Sequence, residues 1–297
     1  MNPVLALYNR LPDKLRRNIR TAMPKGLLRW YAHRNTDVYL LSYPKCGRTW
    51  LRLMVGRAIS LHFALPEEED ILFLRTNRRL HAGVPRITVV HDDHPMLKTP
   101  QELEQSKERY RNKKVIFLVR DPRDVIVSSY FEMMKRSELF GENPHEERKA
   151  VFQGSLSEFI CMRQGGFDTI LEYYNIWARN RGVPRGFLLV RYEDMKEDPR
   201  RELRRVLGFV DLSVIPDEII NQAVEYASFE NMRKMEAEGR FHSGILKPAD
   251  QADRESYKTR RGRVRGYLEY LSEQEVQWLN QKMQTTLSPF YGYWREE

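Results

Sequence analysis

The sequence has 297 residues and a formal net charge of +9, enough chain for one large α/β domain with a substantial core. Its two cysteines, Cys46 and Cys161, are too few for a disulfide framework or a cysteine-ligated zinc site, and no apolar run is long enough to span a membrane. The basic balance suits polyanions, anionic membrane surfaces and phosphorylated or sulfated ligands. We expect a protein of the reducing cytoplasm.

The first 36 residues are strongly basic, since they contain eight Lys or Arg residues and a single acid, Asp13. Apolar residues such as Leu11, Leu15 and Ile19 are interspersed, and this pattern predicts a basic amphipathic helix. Such a helix either packs on the domain with its charges in solvent, which is the commoner outcome, or lies on an anionic membrane. We expect a helical extension over 1–36 and one domain over 37–297.

A strand, a tight loop and a helix are predicted between Val38 and Ile59. The apolar run 38–41 is typical of a strand buried on both faces, and helical spacing of apolar residues begins at Trp50. The helix N-terminus offers unpaired backbone N–H groups to an anion, Gly47 allows close approach, and Lys45 adds a charge. We predict a site for a phosphate-like anion, with an ordinary strand-to-helix turn as the alternative.

A short β-branched strand, 87–90, is followed by His91-Asp92-Asp93-His94. Strand ends are where α/β enzymes place their chemistry. A metal site would need several of these four side chains to converge, but successive residues of an extended chain point to opposite sides, so we expect no metal. A catalytic role needs only one neutral histidine that accepts a proton, and His94 fits a structural loop position.

A third buried strand, 114–119, ends at Arg120 and is followed by a helix that Asp124 can cap. Arg120 and Ser128, about two turns along this helix, are both available to one anion, because a guanidinium fork and a hydroxyl each donate hydrogen bonds. The alternative is an Arg120 paired with Asp121 or Asp124.

Several further segments complete the prediction. The polar stretch 101–111 is predicted to be helical, and 135–166 resembles a mobile lid or acceptor-binding insertion. A fourth strand, 187–191, leads into Tyr192, and a cluster of basic residues lies in 254–265. Other helices are predicted over 167–179, from Pro199, over 216–226 and over 272–286.

The segment Tyr43–Trp50, YPKCGRTW, resembles the 5′-phosphosulfate loop of the sulfotransferases that use 3′-phosphoadenylyl sulfate (PAPS), which reads YPKSGTTW. It differs from that loop at Cys46 and Arg48. The segment Arg120–Tyr130 is similar to the 3′-phosphate segment of the same family, and Arg260-Arg261-Gly262 resembles its late Arg-Lys-Gly. Motifs in this order and spacing are a far more specific signal than any one of them.

The resemblance implies a three-layer, P-loop-like α/β fold, in which a central parallel sheet is flanked by helices on both faces. It also implies a function: transfer of a sulfuryl group from PAPS to a hydroxyl, less readily to an amine, without metal and with adenosine 3′,5′-bisphosphate (PAP) as product. His91 aligns with the histidine of the family's Lys-Thr-His, whose lysine is replaced by Val89. We therefore expect Lys45 and Arg48 to carry more of the charge stabilisation.

Residue roles follow from the same resemblance. It assigns catalysis to His91 as base and to Lys45. It assigns donor binding to Lys45, Cys46, Gly47, Arg48, Thr49, Trp50, Arg120, Ser128, Tyr192, Phe229, Arg260, Arg261 and Gly262. Within this set, the adenine is enclosed by the aromatic residues Trp50, Tyr192 and Phe229. The 3′-phosphate is held by Arg120, Ser128, Arg260 and Arg261.

Two other classes of protein remain as alternatives. A small-molecule kinase would need a Gly-Lys-Ser/Thr loop and a magnesium-binding carboxylate, neither of which is found. A non-catalytic basic protein that binds nucleotide, RNA or membranes is supported by the charge, but no aromatic-basic RNA motif is present and we expect no nucleic acid partner. The regions expected to line the acceptor pocket, 72–86 and 135–166, carry no readable code, so small-molecule, lipid and carbohydrate acceptors all stay open.

Overall fold

The computed structural model describes residues 25–66, 71–74, 77–135, 152–241, 246–248 and 250–294. The chain divides into two compact units between Asp37 and Val38. In the shorter unit, helix α1 spans Lys25–Arg34. Thr36 lies just beyond its end, and the Thr36 hydroxyl donates to the carbonyl of Ala32 in the last turn. Most of the predicted basic helix over 1–36 lies outside the described residues, so its membrane contact stays a prediction.

Four parallel strands form the sheet of the longer unit: β1 Val38–Ser42, β2 Ile87–Val90, β3 Lys114–Val119 and β4 Gly186–Arg191. Their order is β2-β1-β3-β4, and Leu40 pairs with Val89 on one side and with Ile116 on the other. All five residues of β1 are buried. Because neighbouring side chains on a strand point to opposite faces, this burial means that both faces of the sheet are covered. The predicted α/β fold with a central parallel sheet is confirmed.

The helices of the longer unit are α2 Arg48–His62, α3 Pro122–Lys135, α4 Leu156–Ile160, α5 Phe167–Arg179, α6 Tyr192–Glu197, α7 Pro199–Phe209, α8 Asp217–Tyr226, α9 Phe229–Ala237 and α10 Glu273–Thr286. Several of them form two packed groups. One group places α2 against α7 and α8, and the other places α3 against α4 and α5. The aromatic side chains of α5 pack on β3, where the rings of Phe117 and Trp177 stack with their centroids 5.3 Å apart.

The prediction of a helix over 101–111 is wrong. This stretch contains only two short 3₁₀ turns, Pro100–Glu102 and Glu108–Tyr110. It has too few apolar residues at helical spacing to bury a face, and most helical stability comes from such a face. Its lysine, Lys107, is instead buried in an ion pair with Asp92.

The predicted capping role of Asp124 is also wrong, because α3 begins at Pro122 and places Asp124 in its first turn. The carboxylate of Asp124 instead accepts hydrogen bonds from the backbone N–H groups of Arg265 and Tyr267, both at 3.0 Å. It thereby ties a distant loop to α3.

Much of the predicted lid over 135–166 falls outside the described residues. Its described part contains α4, where Phe159 and Ile160 are buried. Among the helices that the structure describes, none combines the length and the apolar character needed to cross a membrane.

Candidate functional site

The carboxyl ends of the four strands meet at one edge of the sheet, because all the strands are parallel. The segment 43–47 follows β1, His91 follows β2, Arg120 follows β3 and Tyr192 follows β4. The residues that sequence analysis singled out after each strand therefore lie along the same edge.

Gly47 sits at the N-terminus of α2 with a left-handed backbone, φ 88°. A Cβ at this position would lie 2.5 Å from Cδ2 of Tyr192, closer than atoms can pack. The backbone N–H groups of Trp50 and Leu51 both donate to the Gly47 carbonyl, at 3.0 and 3.2 Å, so the helix starts here. Its first amides have no acceptor within the helix and are available to an anion.

If this loop binds the nucleotide that the sequence resemblance implies, replacing Gly47 by alanine should weaken PAP binding by more than about tenfold, because the new methyl group meets both a strained φ and the Tyr192 ring. Calorimetric titration with PAP measures the loss. Gly182→Ala is the matched control, since a Cβ there meets nothing within 4 Å. Unchanged PAP affinity in the Gly47 variant would remove the loop from the donor site.

Cys46 faces the core rather than the edge of the sheet. It is fully buried, with Sγ 3.3 Å from the hydroxyl of Tyr174, which in turn donates to the Arg120 carbonyl at 2.8 Å. Burial raises the pKa of the Cys46 thiol to about 12, so it stays neutral at physiological pH. The replacement of the family's serine by Cys46 thus packs the loop against α5.

Lys45 is paired with a carboxylate that sequence analysis did not identify. Its Nζ lies 2.6 Å from Oε2 of Glu132 on α3, and both side chains are largely buried. Ser128 is half-buried one helical turn before Glu132, on the same face of α3. This face of α3 therefore adjoins the segment Tyr43–Trp50, called the phosphate loop from here on.

The hydrogen bonds of His91 define its tautomer. Nδ1 lies 3.1 Å from the Ser42 carbonyl oxygen, and Nε2 lies 2.5 Å from Nη2 of Arg48. A carbonyl only accepts and a guanidinium only donates, so Nδ1 carries the hydrogen and Nε2 carries a lone pair. His91 is thus a neutral imidazole, the form that a general base requires.

The turn after His91 is built around Asp92. Asp92, Asp93 and His94 all have positive φ, at 44°, 61° and 49°. The buried carboxylate of Asp92 accepts from the Tyr110 hydroxyl at 2.6 Å and pairs with Lys107 at 2.9 Å. Burial raises the pKa of Asp92, but the neighbouring cations outweigh this and hold it below its usual range. The turn is therefore anchored by a charged carboxylate.

These partners leave Asp92 committed to cations and to Tyr110. In the part of the chain that the structure describes, no group of three His, Cys, Asp or Glu side chains is arranged to hold a metal ion.

The Tyr192 ring contacts both Arg120 and Trp50. The guanidinium carbon of Arg120 lies 4.5 Å from the centroid of the Tyr192 ring, and the Trp50 and Tyr192 centroids are 5.8 Å apart. Nη2 of Arg120 donates to the Arg263 carbonyl at 2.9 Å and lies 3.3 Å from Asp124. Its Nε is buried with no hydrogen-bond partner among the described residues. The pairing of Arg120 with Asp124 that the sequence left open is present, beside an aromatic surface.

The basic segment 254–265, called the late basic loop, is held by two buried carboxylates. Glu236 of α9 accepts the backbone N–H groups of residues 258 and 259, at 2.6 and 2.9 Å, while Asp124 holds the other end. Gly262 has φ 61°, and a Cβ there would lie 2.8 Å from the Phe229 ring. Phe229 and the basic loop are thereby brought into contact.

Arg260 and Arg261 are both engaged by neighbouring side chains. The guanidinium carbon of Arg260 lies 4.1 Å from the centroid of the Phe131 ring, and Nη1 pairs with Glu255 at 3.0 Å. Arg261 pairs with Glu269. Arg260 thus adjoins α3, and both arginines point their charges at carboxylates. Thr49, the remaining loop residue, is half-buried.

The sulfotransferase domain family model matches residues 35–290, which include every residue of this site. The chain belongs to the sulfotransferase family. The predicted class of enzyme, a PAPS-dependent sulfotransferase, is thereby confirmed.

Relatives and a solved structure agree with this membership. The chain is 29% identical over 266 residues to cytosolic sulfotransferase 12 of Arabidopsis thaliana, covering 81% of this chain and 74% of that protein. It is 28% identical over 242 residues to flavonol 3-sulfotransferase of Flaveria bidentis, covering 74% and 70%. The crystal structure of mouse sulfotransferase SULT7A1 complexed with PAP has a TM-score of 0.55 and 20% identity, covering 84% and 85%. This last likeness confirms the predicted fold.

Proposed function

We propose that this sulfotransferase transfers the sulfuryl group of PAPS to the hydroxyl of a small-molecule acceptor, with His91 as general base. The observation that carries the proposal is the position of His91 at the edge of the sheet beside the N-terminus of α2, with its Nε2 against Arg48 and its Nδ1 against the Ser42 carbonyl. The relative from Flaveria is named for sulfation of a flavonol, a small organic hydroxyl compound, which supports this class of acceptor. Transfer to an amine is the less favoured variant.

In the proposed reaction, the acceptor oxygen forms a bond to sulfur while the bond between sulfur and the 5′-phosphate oxygen breaks. The hydroxyl proton moves to Nε2 of His91, and PAP leaves with the electron pair of the broken bond. A positioned base of this kind typically contributes about two to four orders of magnitude in rate.

Charge develops on the leaving phosphate oxygen, and the phosphate loop stabilises it. The first amides of α2, from Gly47 through Thr49, and the positive end of the helix dipole would face this oxygen, and Lys45 would turn to it from Glu132. Because these donors are fixed before the reaction, they need little reorganisation as the bond breaks.

The nucleotide would bind along the remaining residues of the site. Trp50 and Tyr192, which contact each other, and Phe229 would enclose the adenine. The 3′-phosphate would accept hydrogen bonds from Arg120, Ser128, Arg260 and Arg261, with close backbone approach at Gly262. The last two arginines would exchange their carboxylate partners for the phosphate.

Replacing Arg120 by alanine should weaken binding of PAP about 10- to 100-fold more than binding of 5′-AMP, because a charge-assisted hydrogen bond contributes about 1.5–3 kcal/mol. The comparison of the two ligands is the control, since loss of the contact with the Tyr192 ring affects both equally. Calorimetry measures both affinities. Equal weakening of the two ligands would remove Arg120 from the 3′-phosphate site.

The finer identity of the acceptor and the cellular setting are part of the same proposal. Cytoplasmic location fits the relative named as a cytosolic sulfotransferase. We also propose a single domain over 37–297 and peripheral membrane contact through 1–36. Lipids and carbohydrates are the alternative classes of acceptor in this proposal.

The proposed function is tested by incubating the full chain with ³⁵S-labelled PAPS and a flavonol, a steroid alcohol, a simple phenol or a monosaccharide, in the presence of a metal chelator. We expect labelled ester with at least one small organic hydroxyl compound and stoichiometric release of PAP. No labelled ester with any acceptor, under conditions in which the Arabidopsis relative is active, would contradict the proposal.

A further inference from the structure

The side chain of Arg48 has an unusual environment at the start of α2. Its Nη2 contacts Nε2 of His91, whereas its Nη1 is buried with no hydrogen-bond partner among the described residues. A buried donor left without a partner costs about 1–3 kcal/mol, so such a group in a native protein needs an explanation. Nη1 belongs to the same planar fork as Nη2 and therefore lies close to the proposed base.

Arg48 also differs from Lys45 in the partner that it contacts. Lys45 is neutralised by Glu132, whereas in the described parts of the chain Arg48 forms no ion pair and contacts the neutral ring of His91. Burial and the nearby Arg52 lower the pKa of the Arg48 guanidinium to about 9, so it is still charged at neutral pH. Arg48 is thus a desolvated cation with no carboxylate partner among the described residues.

The neighbouring strand supplies no cation at this point. Val89 and His91 are two residues apart along β2 and its continuation, so both side chains point to the same side of the sheet. An apolar side chain therefore occupies the strand position beside the base. Arg48, from the adjacent helix, brings the nearest observed charge to Nε2 of His91.

We propose that Arg48 binds the sulfuryl group of the donor, and that this contact releases Nε2 of His91 to accept the proton of the acceptor. The inference rests on the proposed function, because it needs PAPS in the site. Nε2 has one lone pair, which Nη2 of Arg48 occupies in this structure, so Arg48 must leave before the base can act. Negatively charged sulfuryl oxygens are stronger acceptors than a neutral imidazole and would draw the guanidinium away.

The proton balance of this step is simple. Arg48 keeps all of its protons and exchanges only its hydrogen-bond acceptor. The single proton that moves passes from the acceptor hydroxyl to Nε2 of His91 as the oxygen–sulfur bond forms. Donor binding would thus precede productive acceptor binding.

Calorimetric titration of PAPS and PAP without any acceptor tests Arg48, since the two ligands differ only in the sulfuryl group. In Arg48→Thr we expect PAPS affinity to fall about 10- to 100-fold, the value of one or two charge-assisted hydrogen bonds, while PAP affinity changes by less than about threefold. Arg48→Lys keeps the charge without the fork and serves as a second variant should the first not fold. Arg57→Thr is the matched control, because Arg57 lies on the same helix over the Tyr226 ring.

Val89→Lys combined with Arg48→Thr sharpens the test. A lysine at this position would point to the same side as His91, and we expect it to restore at least about tenfold of the lost PAPS affinity. A PAPS-to-PAP affinity ratio equal to that of the wild type in both Arg48 variants would overturn the assignment. Wild-type protein that binds neither nucleotide would instead contradict the proposed function itself.

Discussion

Replacing His91 by alanine should lower sulfuryl transfer by about two to four orders of magnitude while PAP affinity changes little. The reason is that Nε2 of His91 is the proposed proton acceptor, whereas its other nitrogen only donates to the Ser42 carbonyl. Single-turnover measurements with labelled PAPS and the acceptor identified in the screen give the rate of transfer. Calorimetry with PAP confirms that the donor site remains formed.

His94→Asn is the control for this variant. His94 is exposed, three residues along the same turn, and asparagine tolerates its positive φ of 49°. We expect wild-type transfer from this control. Transfer at the wild-type rate by His91→Ala would show that another group accepts the proton.

Replacing Lys45 by alanine should lower transfer by about 10²- to 10³-fold, the usual cost of losing one preorganised donor at a developing negative charge. Lys45 lies in the phosphate loop with a positive φ of 72°, and its ammonium group is largely buried beside Glu132. Removing it also leaves Glu132 without this cation, so the folded state should be checked by thermal unfolding. The rate of transfer at saturating PAPS is the quantity to measure.

Lys282→Ala removes a comparable lysine–carboxylate pair away from the sheet edge, since Lys282 on α10 pairs with Asp168 at 2.5 Å. This pair is more exposed, and we expect neither transfer nor stability to change appreciably. Loss of transfer in the Lys282 variant but not in the Lys45 variant would refute the role given to the phosphate loop.

The strands and the residues after them could be predicted from the sequence. The apolar runs before Ser42, His91, Arg120 and Tyr192 are too continuous for exposed chain, and parallel strands bring their carboxyl ends to one edge. Gly47 could be singled out because only glycine combines a left-handed backbone with close approach of a ring.

The partners that hold these residues could not be predicted, because they come from distant parts of the chain. Glu132 stands on an otherwise ordinary amphipathic helix, and only the fold brings it to Lys45. Asp124 resembles a helix cap in sequence, yet its carboxylate is needed by amides 141 and 143 residues further on. For each of these two contacts, the only signal in the sequence is one acidic residue on a buried helix face.

The incorrect prediction of a helix over 101–111 has a related cause. A polar segment forms a stable helix only if it can bury a face, and here the chain uses Lys107 and Tyr110 to bind the buried Asp92. Local propensity carried no information about that carboxylate. The same interaction fixes the turn that presents His91.

The donor site is tested most directly by calorimetric binding of PAP, 5′-AMP and magnesium-ATP to the wild-type chain at one fixed salt concentration. We expect clear preference for PAP over both other nucleotides, without any metal, because we propose that Arg120, which contacts Tyr192 and the Arg263 carbonyl, and the late basic loop bind the 3′-phosphate. Preference for magnesium-ATP, or no binding of PAP, would contradict the assignment of this sheet edge as a PAPS site.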